Sequence, residues 1–475
     1  MSRNPVDPAD LDLKTPPTQE DLEDLALGED YALNAEFVEM VVDAADRGDI
    51  ERLRELMDAL HPADVADLMG FLSADYREEI IPLLAPEALA EILSELDTNI
   101  REEVLDAVSP AALAKALEDL DSDDAADVVD DLEEDKRAEV LAAMPDVERT
   151  AIETTLAYED ETAGRLMQRE VLAAPQFWTV GQTIDYVRRA GDDLPELFFD
   201  IYVVDPANRP LGAAPVSRLL RAKRDTPLSE IMEPVTEIPV DMDQEEVAYI
   251  FDKYHLISAP VVEPGGRLVG QITVDDVVGV IQEESEEDML ALAGVSDAGR
   301  DATTFGIVRS RLLWLVLNLV TETVAVSAIA IFQDEIAKLV ALAVLMPIVS
   351  SVGGNAGTQT LAVAVRALAS RELNAANAAR IIWRELGAGI VNGIIVAVAM
   401  GAAVVFFYHN WRLALTVGLA LIANIFIAAV GGILIPLALE RAGRDPAVSS
   451  SIFITFLTDF MGFLAVLAIA ALILL

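Results

Sequence analysis

The charge of this chain is divided at about residue 305. Residues 306–475 hold 10 Lys and Arg against 8 Asp and Glu, a net of +2, whereas residues 1–305 hold 23 bases against 73 acids, a net of −50. The long apolar runs all fall in the second segment. A chain so divided cannot fold around one core. It must join an acidic, water-facing half to a nearly neutral half suited to a bilayer. Carboxylates at this density repel one another and oppose the compact state unless cations neutralise them. A cation is therefore the expected partner of the first half, and the second half offers a route across a membrane.

Composition narrows the cation. There is no Cys, which excludes disulfides and thiolate metal sites. The three His (His61, His255, His409) are too scattered for a Zn or Cu site. Asp and Glu oxygens suit hard ions such as Mg²⁺, Ca²⁺ or Mn²⁺. A net charge of −48 argues against nucleic acid as a partner. No nucleophile and base fall together in the apolar spans, so the chain is not expected to be an enzyme.

Residues 1–33 are Pro- and Asp-rich with no apolar signal-peptide core, and read as a disordered tail. From 34 to 150 the chain repeats every 12 residues, with Leu60, Leu72, Leu84, Leu96, Val108, Leu120 and Leu132 on the period. Each is followed by a turn or cap and then an apolar-periodic stretch, the signature of short helices stacked as a solenoid. Residues 158–285 change to short β runs between helical stretches. Two copies align at an offset of 58, Tyr202-Val-Val204 with Pro260-Val-Val262 and Leu211-Gly212 with Val269-Gly270. Each copy opens on a Leu/Ile-Met pair, Leu166-Met167 and Ile231-Met232. The pattern resembles a tandem pair of CBS domains, modules that often bind adenine nucleotides. Gly270-Gln-Ile-Thr273-Val-Asp-Asp276 resembles their ribose-contacting stretch, which makes ATP a candidate ligand. An acid-rich connecting helix, 286–308, follows.

Five apolar spans, each about the length needed to cross a bilayer, lie near 311–332, 336–368, 383–408, 412–438 and 448–474. Arg-rich connections place residues 1–305 in the cytoplasm and the C-terminus outside a cell (inner) membrane; lone Arg412 is the exception. Ionisable groups inside spans are costly and therefore informative. Asp459 stands mid-span with no base in its own span, which favours a cation pathway. Glu322 reads as a buried partner of a polar neighbour such as Asn318. The second span contains Pro347 and Gly353-Gly-Asn-Ala-Gly-Thr-Gln-Thr360, expected to interrupt the helix with polar backbone facing a pore. Gly353, Gly354 and Gly357 also suit close helix packing.

Gly353–Thr360, Tyr158-Glu-Asp-Glu-Thr-Ala-Gly-Arg-Leu-Met167 and Asp459 together resemble the MgtE family of magnesium channels, over about residues 35–475. The resemblance implies three parts: a helical solenoid, an α/β CBS pair, and an all-α membrane domain of five transmembrane helices, residues 309–475. It implies a homodimer in membrane lipid that takes up Mg²⁺, held through water by Asp459 of each subunit. It also implies closure by cytosolic Mg²⁺, with sensing ligands Glu91, Asp123 and Asp127 on the solenoid and Asp243, Glu245 and Asp276 on the second CBS module. Glu284, Glu287 and Asp288 of the connecting helix would meet Asp445 at the membrane. Two positions depart from the family pattern, His255 and Gly279, where acids are expected. The alternative is an ion-coupled secondary carrier of divalent cations such as Mg²⁺, Mn²⁺ or Co²⁺.

Overall fold

The computed structural model describes residues 22, 25–28, 31–191, 194–195, 197–293, 304–369, 371, 378–442, 446 and 450–474. Two compact units emerge, one of 1–281 with 299–301 and one of 282–298 with 302–475.

From Ala35 on, the described residues of the first unit form ten short α-helices: α1 (Ala35–Asp46), α2 (Ile50–Met57), α3 (Pro62–Phe71), α4 (Ala74–Ile80), α5 (Pro86–Glu95), α6 (Thr98–Ala107), α7 (Pro110–Ala116), α8 (Ser122–Asp130), α9 (Glu134–Ala143) and α10 (Asp146–Thr155). The 12-residue period marks where helices stop. Leu72, Leu96, Val108 and Met144 are C-cap residues in extended backbone, each buried. The last carbonyls of a helix lack partners, and here bases five residues downstream supply them. Arg77 donates to Leu72 O (2.8 Å), Arg101 Nη2 to Leu96 O (3.2 Å) and Arg137 Nη2 to Leu132 O (3.3 Å). Leu22, Leu25 and Ala26 are buried, and Leu22 and Ala26 join the solenoid core. The packed chain therefore starts before Asn34, because these apolar residues share one helix face. Residues 1–21 of the expected tail lie outside the described residues.

Two three-stranded sheets follow. β1 (Ala173–Pro175), β2 (Asp200–Val204) and β3 (Pro210–Pro215) form one; β4 (Ile238–Pro239), β5 (Ser258–Val262) and β6 (Leu268–Thr273) form the other. In each, the first strand runs parallel to the second and the third antiparallel. Val203 pairs with Gly212 and Val261 with Gly270, with a bulge after each Val, so the offset of 58 is a real structural repeat. The helices are α11 (Ala163–Leu166), α12 (Val180–Ala190), α13 (Val216–Leu219), α14 (Leu228–Ile231) and α15 (Gln244–Tyr254). The repeats exchange their leading segments. Gln168, after Met167, bridges Gln271 on β6, while Glu233, after Met232, bridges Ala213 on β3. Gly212 and Gly270 allow this approach: a Cβ at Gly212 would lie 2.5 Å from Glu233 O, and one at Gly270 2.6 Å from Gln168 O.

The connecting helix begins earlier than residue 286. α16 runs Val274–Leu292 without a break. In the second unit its last residues, Ala291 and Leu292, pack on Leu361, Val365, Ile435 and Ile454. The membrane helices are α17 (Thr304–Ile331), short α18 (Gln333–Lys338), α19 (Ala341–Ala369), α20 (Ala378–Tyr408), α21 (Trp411–Arg441) and α22 (Ser450–Ile473). Five of them are long and apolar enough to cross a bilayer. α21 lies at the centre, packed on α19, α20 and α22.

The expected interruption of the second span does not occur: α19 is helical from Ala341 through Pro347 to Ala369. Its glycines serve packing instead. A Cβ at Gly353 would lie 2.0 Å from Asn424 Nδ2, and one at Gly357 2.6 Å from Ile454 Cγ2. Asn424, fully buried on α21, donates to Val349 O at 3.0 Å.

Candidate functional site

In the first unit the N-terminus of α8 docks on the loop before β1. Ser122 Oγ donates to Glu170 Oε2 (2.9 Å) and accepts from Arg169 N–H (2.8 Å). Gln271 Nε2 of β6 donates to Glu170 O at 3.0 Å, tying that loop to the second repeat. The docking places Asp123 against Asp276. Asp123 is 7% exposed, and its Oδ1 has no hydrogen-bond partner among the described residues. Asp276, in the first turn of α16, accepts from Thr273 Oγ1 at 2.7 Å. Burial, then mutual repulsion, lifts the Asp123 carboxyl well above its ordinary range. Burial likewise raises Asp276, with the Thr273 hydrogen bond opposing. Asp124 is pushed up to about 7, by burial first and by Asp276 and Asp121 next. Asp121, Asp123, Asp124 and Asp276 thus disfavour one another's charge.

Asp127 differs. Burial raises it, but Arg165 lies 3.5 Å away and opposes the shift; Arg165 also holds Asp130 at 2.8 Å. A guanidinium already occupies that side of the cluster. Asp121 and Asp124 lie close enough to Asp123 and Asp276 to raise their carboxyls, although the sequence reading passed over them; the run Asp121-Ser-Asp-Asp124 at a helix start was the available signal. Glu91 is exposed on α5, and Asp243 and Glu245 stand exposed at the start of α15, where Asp243 caps Glu245 N–H at 2.9 Å. His255 caps α15 in left-handed backbone, φ 53°, with its side chain exposed. A Cβ at Gly279 would meet open space. No three described residues already form a cage for an ion.

In the second unit Asp459 of α22 is half-buried, and its carboxyl faces that of Glu322 on α17. Glu322 has Asp459 as a neighbour because α17 packs directly on α22. A Cβ at Gly354 would lie 3.7 Å from Thr458 Oγ1, which sets Asn355 at the depth of Asp459. Ser351, Asn355, Thr358 and Gln359 form an exposed polar stripe along α19. Glu284 and Asp288 are half-buried and Glu287 exposed on α16; Asp445 lies outside the described residues.

The family described as divalent cation transporter, MgtE, matches residues 346–469; the MgtE intracellular N domain matches 60–161 and the CBS domain 228–283. The magnesium transporter MgtE of Thermus thermophilus is 34% identical over 443 residues, covering 91% of this chain and 97% of that one. That of Enterococcus faecalis is 34% identical over 321 residues, 67% of this chain and 71% of the relative. A solved cytosolic domain of the Mg²⁺ channel MgtE in complex with ATP is 34% identical, covering 51% of this chain and 99% of that one, with a TM-score of 0.48. A multi-pass membrane protein with an acidic helical domain and a CBS pair, this chain belongs to the MgtE family of magnesium transporters.

Proposed function

We propose that the protein is a Mg²⁺ channel for magnesium uptake, gated by Mg²⁺ on its acidic cytoplasmic domains. The observation that carries this reading is Asp459 at membrane depth beside the uncovered polar stripe of α19. Polar side chains facing hydrocarbon are costly. A second protomer laid against the stripe would turn it into the lining of a wet path, with one Asp459 from each chain. Mg²⁺ gives up its water reluctantly, so the carboxylates would hold it through its hydration shell.

The gate follows from the soluble half. Mg²⁺ entering the Asp121, Asp123, Asp124 and Asp276 cluster would relieve its repulsion and hold the helical domain on the CBS pair. Glu91, Asp127, Asp243 and Glu245 would serve as outlying sensor ligands, and Glu284, Glu287 and Asp288 would act with Asp445 near the membrane. The packing of Ala291 and Leu292 on α19, α21 and α22 gives α16 a direct hold on the spans. ATP would bind at the CBS pair. The Arg distribution would put the C-terminus outside. The test is Mg²⁺ current through the reconstituted dimer at varied internal Mg²⁺. A reversal potential that follows the Mg²⁺ gradient, with current falling as internal Mg²⁺ rises, is the expected result. A reversal potential that also follows a second ion would favour a coupled carrier.

A further inference from the structure

Helices α20 and α21 are joined by two residues, His409 and Asn410. Val404 and Leu413, beside this connection, pack with Ile329, Leu342 and Val466, which sets it at the end of the bundle away from Thr304. Asn410 Oδ1 accepts from the N–H groups of Arg412 (3.0 Å) and Leu413 (3.2 Å), so the first turn of α21 is already capped. Arg412 is exposed, with its guanidinium 5.7 Å from the centre of the exposed Trp411 ring. No carboxylate pairs with it among the described residues. The nearest acids in sequence, Glu385 and Glu440, flank Ile381, Ile382 and Leu437 at the opposite end. Arg412 also stands apart from the Arg-rich connections that orient the spans.

Beside Arg412 the surfaces of α20 and α21 part to leave a groove of about 670 Å³, lined by apolar residues that include Val398, Gly401, Val405, Phe406, Trp411 and Leu415. Gly401 keeps the floor open: a Cβ there would meet only Ala414 O, at 3.8 Å.

We propose that the groove and Arg412 together bind one anionic phospholipid, its acyl chain along α20 and α21 and its headgroup phosphate on the guanidinium. The two halves of the site match the two halves of such a molecule. A hydrocarbon chain alone would need no cation, and a guanidinium fork suits phosphate oxygens. Trp411 and Tyr408 stand at the depth where aromatic side chains meet lipid headgroups. Nothing in this site depends on the transport reading.

The full-length protein in nanodiscs of mixed phosphatidylglycerol and phosphatidylcholine provides the test, with retained lipid counted by native mass spectrometry. Wild type should keep phosphatidylglycerol preferentially. R412Q should lower that preference about fivefold, the worth of one cation near an anionic surface, and R412K should retain most of it. G401L should reduce retention of both lipids, since its side chain fills the groove. Equal preference in wild type and R412Q, or an unchanged lipid count in G401L, would overturn the proposal. So would thermal destabilisation of R412Q in lipid-free detergent, because Arg412 would then be a structural residue.

Discussion

Ser258 donates from Oγ to Asp200 Oδ2 at 3.0 Å, and these residues open β5 and β2, 58 positions apart. The two α/β repeats thus join through equivalent positions that have diverged into donor and acceptor. Tyr202 OH completes the chain by donating to Ser258 Oγ at 3.1 Å. Burial raises the Asp200 carboxyl above its ordinary value, with the Ser258 hydrogen bond opposing. A raised carboxyl contributes stability that is fully present below the unfolded value of 3.8 and is lost as pH rises through the folded one. D200N should therefore gain thermal stability relative to wild type as pH rises from 4 to 8. Parallel melting curves for the two proteins across that range would refute this.

Arg165 holds Asp130 and Asp127 from a side chain that is 11% exposed, while the two acids are 41% and 61% exposed. Pairs open to solvent on one side contribute little, so R165A should cost only about 0.5–1 kcal/mol of stability. Its larger effect should be on sensing. With Asp127 released, closure should need less Mg²⁺, read as a lower inhibitory midpoint in flux assays. An unchanged midpoint would separate Asp127 from the sensor.

D123A and D276A should each weaken inhibition by internal Mg²⁺ more than E91A or D243A, because Asp123 and Asp276 face one another while Glu91 and Asp243 are exposed. Protease protection of the helical domain, titrated with Mg²⁺ before and after chelation, would rank the four. Equal midpoints would show that the buried pair has no special part.

D459N should reduce Mg²⁺ flux to the level of empty vesicles while the protein remains folded. E322Q removes the neighbouring carboxyl and should lower flux without abolishing it. Wild-type flux in D459N would remove Asp459 from the ion path.

G432A would set a Cβ 2.8 Å from Thr360 Cβ and 3.0 Å from Gly357 O. Backbone cannot step aside as a side-chain tip can, so α19 and α21 must separate. Overpacking of this kind costs about 1–3 kcal/mol, and thermal unfolding in detergent should show it.

The sequence made the repeats and the spans legible because each leaves a period or a length. The 12-residue period located helix ends such as Leu72 and Leu96, and the offset of 58 located paired strands. The Arg77, Arg101 and Arg137 caps were not legible, since nothing in a basic residue's spacing says which carbonyl it will reach. Pro347 and the glycines of 353–357 looked like a broken helix. Locally that inference is sound, but Asn424 and Ile454 fill the space those glycines leave and keep α19 whole. Glu322 and Asp459 lie 137 positions apart, and only the packing of α17 on α22 brings them together. The acids of the α8 N-terminus stood in plain view, yet which of them face Asp276 depends on how Ser122 docks.

The two-residue link of α20 and α21 bears on how the protein is made. Two long apolar helices so tightly joined leave the ribosome as one hairpin and should enter the bilayer in a single event. Between them lie only His409 and Asn410, with the charge of Arg412 at the start of the second helix. The fourth span accordingly has no insertion history of its own. A lesion that keeps α20 out of the membrane would strand α21 with it, and because α21 lies at the centre of the bundle, the whole domain would be lost at synthesis rather than at folding.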